Sequence, residues 1–509
     1  SSSYHTRTPK ASHVERSLLD DYDELPRLRN DPVEETDPMQ SHMYVPSATP
    51  GSAAESNSCI QCGDYSLTLY YCNLCDNWTP PQGQTGPGGI LHEKTDQTVA
   101  DKLRATFEAS PDDQEQAAMF QADENTAWFG VVKDESGDLI FHDYGRYADI
   151  IAEISRDRGS RHNNEFPGLV CFVGETGARK SSLIKVLIEL SEADGDTHHQ
   201  TPVVGSVRHQ DVPTSGDVHL YTDPKTYLSD NPILYADCEG LAGGEREPKG
   251  ARSRLMKHMN GEPKTDQRTK SFQKSQRNLQ HSSEREITWA TKTDSRVMKS
   301  ARNIQEFPKC QSTPVLTFTS FRVIENVIEK LIEWAGAALE MSSNQPVLPH
   351  AVIALNVSEL SIDPEQWEVP RATTWLMDAV KESLSKNVKF RKHAQIWRSR
   401  GRRIDTVEDL LLSYYSSIRV IRIPGIGRPT LMKNQMEKLY GEISASLEIS
   451  KTSKRSLRML LDADELQPYL KFAFDHFSTN LDRPFDFVQA SFISNPTILR
   501  VIYLSLQST

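Results

Sequence analysis

The sequence predicts an α/β fold of three layers, a mainly parallel sheet with helices on both faces. Three observations carry this. Apolar runs of strand length ("GLVCFV", "PILYAD", "AVIAL", "IRVIRI") alternate with segments at helical spacing ("LIKVLIEL", "TVEDLLLSYY"). With 509 residues, 37% of them hydrophobic and 25% charged, the chain can close at least one sizeable core and has room for about three domains. No apolar run approaches the roughly 18–20 residues of a membrane span.

Residues 1–57 read as a disordered region, rich in Ser, Pro, Asp and Glu ("LLDDYDELPRLRNDPVEETDP") without apolar periodicity. Residues 58–90 hold a cysteine cluster, closed by the linker "TPPQGQTGPGG". Residues 91–162 read as a small α/β segment. In it, "TVADKLRATFEA" is a helix, "TAWFGVVKDESGDLIFHDY" a hairpin turning near Ser136-Gly137, and "RYADIIAEI" a second helix.

The strand–helix alternation occupies residues 163–440. Gly168 to Val173 is a buried strand and Lys180 to Leu190 a helix. The strands "DVHLY" and "PILYAD" follow. The stretch from Gly243 to Gln311 breaks the pattern. It has few aliphatic residues and about twice as many basic as acidic ones, and it reads as a mobile basic loop. Beyond it, "CQSTPVLTFTSF" is short and polar where a full strand belongs, so the sheet is expected to be locally incomplete. Then come the helix "RVIENVIEKLIEWAGAALE", the strand "AVIAL", the helices "TTWLMDAVKESL" and "TVEDLLLSYY", and the strand "IRVIRI". Residues 441–509 read as a helical segment that stops without an obvious end.

Cys59, Cys62, Cys72 and Cys75 form C-x2-C-x9-C-x2-C. Each C-x2-C knuckle presents two thiolates with the bite that tetrahedral zinc needs, and two knuckles close a structural site. Gly63 suits the first knuckle's turn, and the segment between the knuckles is expected to form a hairpin with "LTLYY" as a strand. Such modules serve as stability clips or protein-docking surfaces. Only His92 is close enough to begin a second site, so a two-metal ubiquitin-ligase module is not supported.

"VGETGARKSS" follows a strand and opens a helix, as a phosphate-binding P-loop does. In that loop, backbone N–H groups surround the phosphates, a lysine neutralises β/γ charge and a hydroxyl ligates Mg²⁺. Gly174, Glu175, Thr176, Gly177, Ala178, Arg179, Lys180, Ser181 and Ser182 make up the candidate loop, with Lys180 as the ammonium and Ser181 as the metal ligand. Arg179 stands where the pattern has glycine. Downstream, Asp237-Cys238-Glu239-Gly240 is D-x-x-G after a strand. There Asp237 would hold the Mg²⁺ water shell, and the Gly240 N–H would reach the γ-phosphate. Thr214, or Thr201 as the nearer alternative, would cap Mg²⁺ and sense that phosphate. Lys180, Thr214 and Gly240 are thus the candidate catalytic groups. At the end of "AVIAL", Asn356 and Glu359 keep the amide and the acid of a guanine-reading N-K-x-D loop, with Val357 in place of its lysine.

In this order, "GETGARKSS", "PTSGDVHLY", "ILYADCEGL" and "ALNVSE" resemble the G domain of TRAFAC-class GTPases, closest to the guanylate-binding and dynamin-like branch. The wider layout, with C-x2-C pairs ahead of the loop and "SSNQPVLPHAVIALN" after it, looks like a group of large fungal P-loop GTPase-like proteins. The resemblance covers about residues 58–500. It implies a P-loop NTPase fold, Mg²⁺-dependent binding of GTP, hydrolysis of GTP to GDP, and a homodimer across the nucleotide face. Leu241 follows Gly240 where a catalytic glutamine would stand, so hydrolysis is expected to be slow.

The formal charge of −12 argues against nucleic acid as the main partner. Seven cysteines in a chain of this length do not make a disulfide scaffold. With no signal peptide in view, the expectation is a soluble, intracellular, cytoplasmic protein. The chain begins at Ser1 rather than at a methionine, which leaves a lost leader open. Three readings follow: a GTP-binding protein with slow GTPase activity and a zinc module that docks a protein, a pseudo-GTPase scaffold silenced by Arg179, and an ATPase of the same fold.

Overall fold

The computed structural model describes residues 70–72, 77–79, 97–107, 119–120, 122–133, 138–159, 165–174, 177–191, 199–204, 217–238, 281–288, 313–318, 328–329, 331–332, 347–358, 362–425 and 429–479. The expected disordered region 1–57 and most of the linker lie outside the described residues. A two-stranded antiparallel ladder pairs β1 (Tyr70–Cys72) with β2 (Asn77–Thr79), Cys72 opposite Asn77. The end of the expected strand "LTLYY" falls in β1, and the rest of the segment between the two knuckles lies outside the described residues.

The other strands form one sheet among the described residues. In chain order they are β3 (Ala127–Lys133), β4 (Leu139–Asp143), β5 (Gly168–Gly174), β6 (Asp217–Thr222), β7 (Ile233–Asp237), β8 (Ser283–Glu286), β9 (Thr313–Phe318), β10 (His350–Ser358) and β11 (Ser417–Pro424). Across the sheet the order is β11-β10-β9-β5-β7-β6-β3-β4-β8. The pairs from β11 to β7 are parallel and those from β7 to β8 antiparallel. The sheet is mixed, which corrects the expectation of a mainly parallel one. The cause is loop length. Residues 223–232 turn β6 straight into β7, and a parallel crossover needs about a dozen residues or more.

Helices cover both faces, as expected. Along β5, Val170 and Phe172 point to one side and Leu169, Cys171 and Val173 to the other. The first side is covered by α1 (Gln97–Phe107), then α3 (Lys180–Glu189) and α8 (Pro429–Ser456). On the second side, α2 (Arg146–Asp157) and α9 (Ala463–Thr479) pack over β3 to β7. At β10 and β11 the cover is α4 (Val369–Ala379), α6 (Val388–Ser399) and α7 (Val407–Leu411), with the short α5 (Ser383–Lys386) before α6. Ile328, Leu331 and Ile332, from the expected helix "RVIENVIEKLIEWAGAALE", are fully buried in that cluster. Among the described residues no helix is long and apolar enough to cross a membrane.

Four boundaries change. The segment 91–162 belongs to the same sheet, since β3 pairs with β6 and Leu103 of α1 joins the core around α3. The basic insert contributes β8, an edge strand of alternating polar residues. Ile287 follows it into the core, and Arg285 pairs with Asp475 of α9. "CQSTPVLTFTSF" supplies β9, so the sheet is complete at its centre between β5 and β10. The boundary at 440 falls inside the continuous helix α8.

Two tests of stability arise here. Gly130 of β3 lies opposite Asp217 of β6, and an added Cβ would sit 1.9 Å from the buried Asp217 Oδ1. Gly130→Ala is expected to destabilise the protein by about 1–3 kcal/mol, read as a lower urea midpoint. In α8, burial pushes the Lys454 ammonium down from 10.5 to about 8. The unfolded chain then binds more protons than the folded one between those values, so stability rises with pH through that window. At pH 7 the charge is held in an unfavourable place. Lys454→Met is expected to stabilise by about 1 kcal/mol at pH 7, an advantage that shrinks toward pH 10 in thermal melts.

Candidate functional site

The candidate loop lies at the carboxyl end of β5, which is parallel to both its neighbours β9 and β7, where open α/β sheets place their ligands. Gly174 closes β5 and Lys180 opens α3. Glu175 and Thr176 lie outside the described residues. Gly177 has φ +79°, a conformation natural to glycine. Arg179, the residue before α3, has φ 59° and ψ 32°, so an arginine adopts the left-handed backbone that the loop pattern assigns to glycine. Ala178 and Ser182 are buried, and Arg179 and Ser181 half-buried.

Lys180 is buried at 7% exposure and its Nζ donates to the Gly174 carbonyl at 3.3 Å, arching over the loop. Asp237, the last residue of β7, accepts a 2.6 Å hydrogen bond from Ser181 Oγ through Oδ2. Its other oxygen, Oδ1, is buried without a hydrogen-bond partner among the described residues. Burial pushes the Asp237 carboxyl above the ordinary carboxylate range. Lys180, the Ser181 hydroxyl and His219 oppose that shift, and Asp123 adds to it. Asn356, 2% exposed near the end of β10, donates from Nδ2 to the Ala178 carbonyl at 2.8 Å. One side chain thus ties the β10 end to the middle of the loop.

Sequence reasoning missed the polar cluster beside Asp237. His219 on β6 stands directly across from Asp237. Its Nδ1 lies 2.8 Å from Thr126 Oγ1 and 3.7 Å from Asp123 Oδ2. Tyr221 OH donates to Asp123 Oδ1 at 2.7 Å. The available signal was "DVHLY", a strand with polar side chains at the alternate positions that face the buried α3 side. Two buried thiols, Cys171 and Cys238, also meet; the hydrogen bond between them and burial hold the Cys238 thiol far up, in its protonated form.

Thr201 is half-buried in the segment 199–204. Thr214, Gly240 and Glu359 lie outside the described residues, as do Cys59, Cys62 and Cys75. Cys72 ends β1. Among the described residues no group of three or more His, Cys, Asp or Glu side chains gathers as a metal site. No protein-family model matches the chain, and no curated protein matches its sequence.

Proposed function

We propose that residues 174–182 form a P-loop that binds the phosphates of a nucleoside triphosphate, GTP first, in a P-loop NTPase domain. The observation that carries this reading is the meeting of Ser181 and Asp237. A hydroxyl from the loop and a carboxylate from the neighbouring strand are hydrogen-bonded at 2.6 Å, and a buried carboxylate oxygen is left over. A buried carboxylate lone pair without a donor is unfavourable unless a cation or its water shell faces it. The donor set is hydroxyl and carboxylate oxygen, which suits Mg²⁺. Ser181 and Asp237 would hold that ion, with Thr214 as the expected third group. The ion supplies charge neutralisation at the β- and γ-phosphates. Lys180 would release the Gly174 carbonyl and turn to the same phosphates.

Slow hydrolysis to GDP belongs to this reading, with Gly240 as the γ-phosphate contact. ATP is the second reading, and one observation favours it. The Asn356 amide nitrogen is committed to the Ala178 carbonyl, so guanine reading would fall to Glu359. The zinc module, with Cys59, Cys62, Cys72 and Cys75 as ligands and a protein as its partner, stays part of the proposal, as does the homodimer. Titrating fluorescent GTP and ATP analogues into the full chain, with and without Mg²⁺, is expected to give Mg²⁺-strengthened binding with GTP tighter. Tighter ATP binding would replace GTP, and no binding of either would defeat the reading. Metal analysis of the purified chain is expected to find one zinc per molecule.

A further inference from the structure

Arg179 is the residue that stands where the loop pattern has glycine, and two features of it ask for an explanation. Its backbone is in the left-handed region at φ 59°, strained for any residue with a Cβ. Its guanidinium is half-buried, and no hydrogen bond or ion pair to it is found among the described residues. A strained backbone and a half-desolvated cation without a counter-charge among the described residues are both unfavourable in the free protein.

A plug would look different. A side chain that fills the phosphate position would take the loop's own hydrogen-bond acceptors. Among the described residues the Gly174 carbonyl is engaged by Lys180, Asp237 Oδ2 by Ser181 and the Ala178 carbonyl by Asn356. Arg179 bonds to none of them. It is the residue before α3 and makes no side-chain capping bond to that helix. The partial positive charge of that helix end and the Lys180 ammonium already favour an anion there.

We propose that Arg179 is a second cationic phosphate ligand of the loop, selecting the polyphosphate chain rather than excluding it. This rests on the nucleotide reading above. A guanidinium presents a planar fork of donors that matches two phosphate oxygens at once, which a point-like ammonium cannot do. The charge that lacks a partner in the free protein gains one when the polyphosphate enters. Because Arg179 and Lys180 together neutralise more of the phosphate charge, binding persists with less Mg²⁺ than a single lysine would allow.

The test uses the full chain and its Arg179→Gly, Arg179→Lys and Arg179→Gln forms, titrated with a fluorescent GTP analogue and with inorganic tripolyphosphate, each with and without Mg²⁺. Glycine relaxes the positive φ, so Arg179→Gly is expected to melt at the same or a higher temperature, and a loss of affinity in it cannot be blamed on misfolding. The expected result is a roughly 10- to 100-fold loss for both ligands in the glycine and glutamine forms, largest without Mg²⁺, with most of the affinity kept by lysine. Glycine binding as tightly as the parent, or tighter, overturns the proposal and leaves the nucleotide reading standing. If neither the parent nor any variant binds either ligand, the nucleotide reading fails and this proposal falls with it.

Discussion

Lys180→Ala is expected to weaken triphosphate binding at least about 100-fold, roughly 2.7 kcal/mol. The lysine is almost wholly buried, it arches over the loop to the Gly174 carbonyl, and its charge favours the ionised form of Asp237. Truncating it removes a cation from the proposed phosphate position. It also leaves the Asp237 carboxylate with less to offset its burial, so that carboxylate would hold a proton to higher pH and offer less charge to Mg²⁺. Lys180→Met keeps the volume without the charge and is expected to lose the same affinity while retaining more stability. Calorimetric titration together with urea unfolding separates the two effects. An affinity within threefold of the parent in both variants would rule out a phosphate role for this side chain.

The second large effect is expected at Asn356→Asp, a change of almost no volume. The Asn356 amide is the donor in the 2.8 Å bond to the Ala178 carbonyl, in surroundings where the residue is only 2% exposed. An aspartate puts an acceptor against an acceptor and either buries a charge or takes up a proton. The expected cost is about 3 kcal/mol, seen as a large drop in the urea midpoint, since removing one partner of a buried bond leaves the other unsatisfied. Asn356→Ala is expected to cost less, about 1–3 kcal/mol, because it leaves an unpaired carbonyl but adds no charge. If Asn356→Asp is as stable as Asn356→Ala, the tie between β10 and the loop is not the constraint described above. Both changes should also loosen the loop and lower triphosphate affinity about tenfold.

Much of the fold was legible in the sequence, and the parts that were not share a physical cause. β5, β7 and β10 are buried on both faces, so each reads as a largely apolar run; β6 and β11 were readable despite their polar positions. α7 carries the spacing of a helix with one buried stripe, and α3, buried on most of its surface, carries "LIKVLIEL". β8 was invisible because an edge strand of Ser, Glu, Arg and Glu has no hydrophobic signal; its place comes from the ladder with β4 and from Ile287. β9 was discounted because it is short and polar, and it carries Pro314 opposite Cys171. α6 was missed because it is dominated by basic residues, with only Phe390 and Ala394 buried. The antiparallel half of the sheet depends on how short the turn at 223–232 is, which composition does not advertise.

At the candidate site the division is similar. That Ser181 and Asp237 would approach one another follows from a loop and a strand end that adjoin in the sheet. That Asn356 would hold the loop from below does not follow from the spacing of an amide and an acid. Nor did Arg179 disclose its backbone conformation; the sequence raised the question of a blocked loop, and only the geometry shows a loop shaped as if glycine were there. The His219 cluster escaped because its members come from distant segments and meet only through the β6–β7 register.

The aromatic cover on the second face of the sheet sets a timetable for synthesis. Phe474 of α9 packs edge-on to Trp128 and lies against Phe129 and Phe141, all within about 5–6 Å between ring centres. Those three partners leave the ribosome about 330 residues before Phe474 does. At roughly 5–20 residues per second, the interval is on the order of 20–70 s. Throughout it the oily face of the β3–β4 hairpin can draw on α2 but not on α9, so the part that Phe474 covers must be shielded by something other than the chain's own late helix.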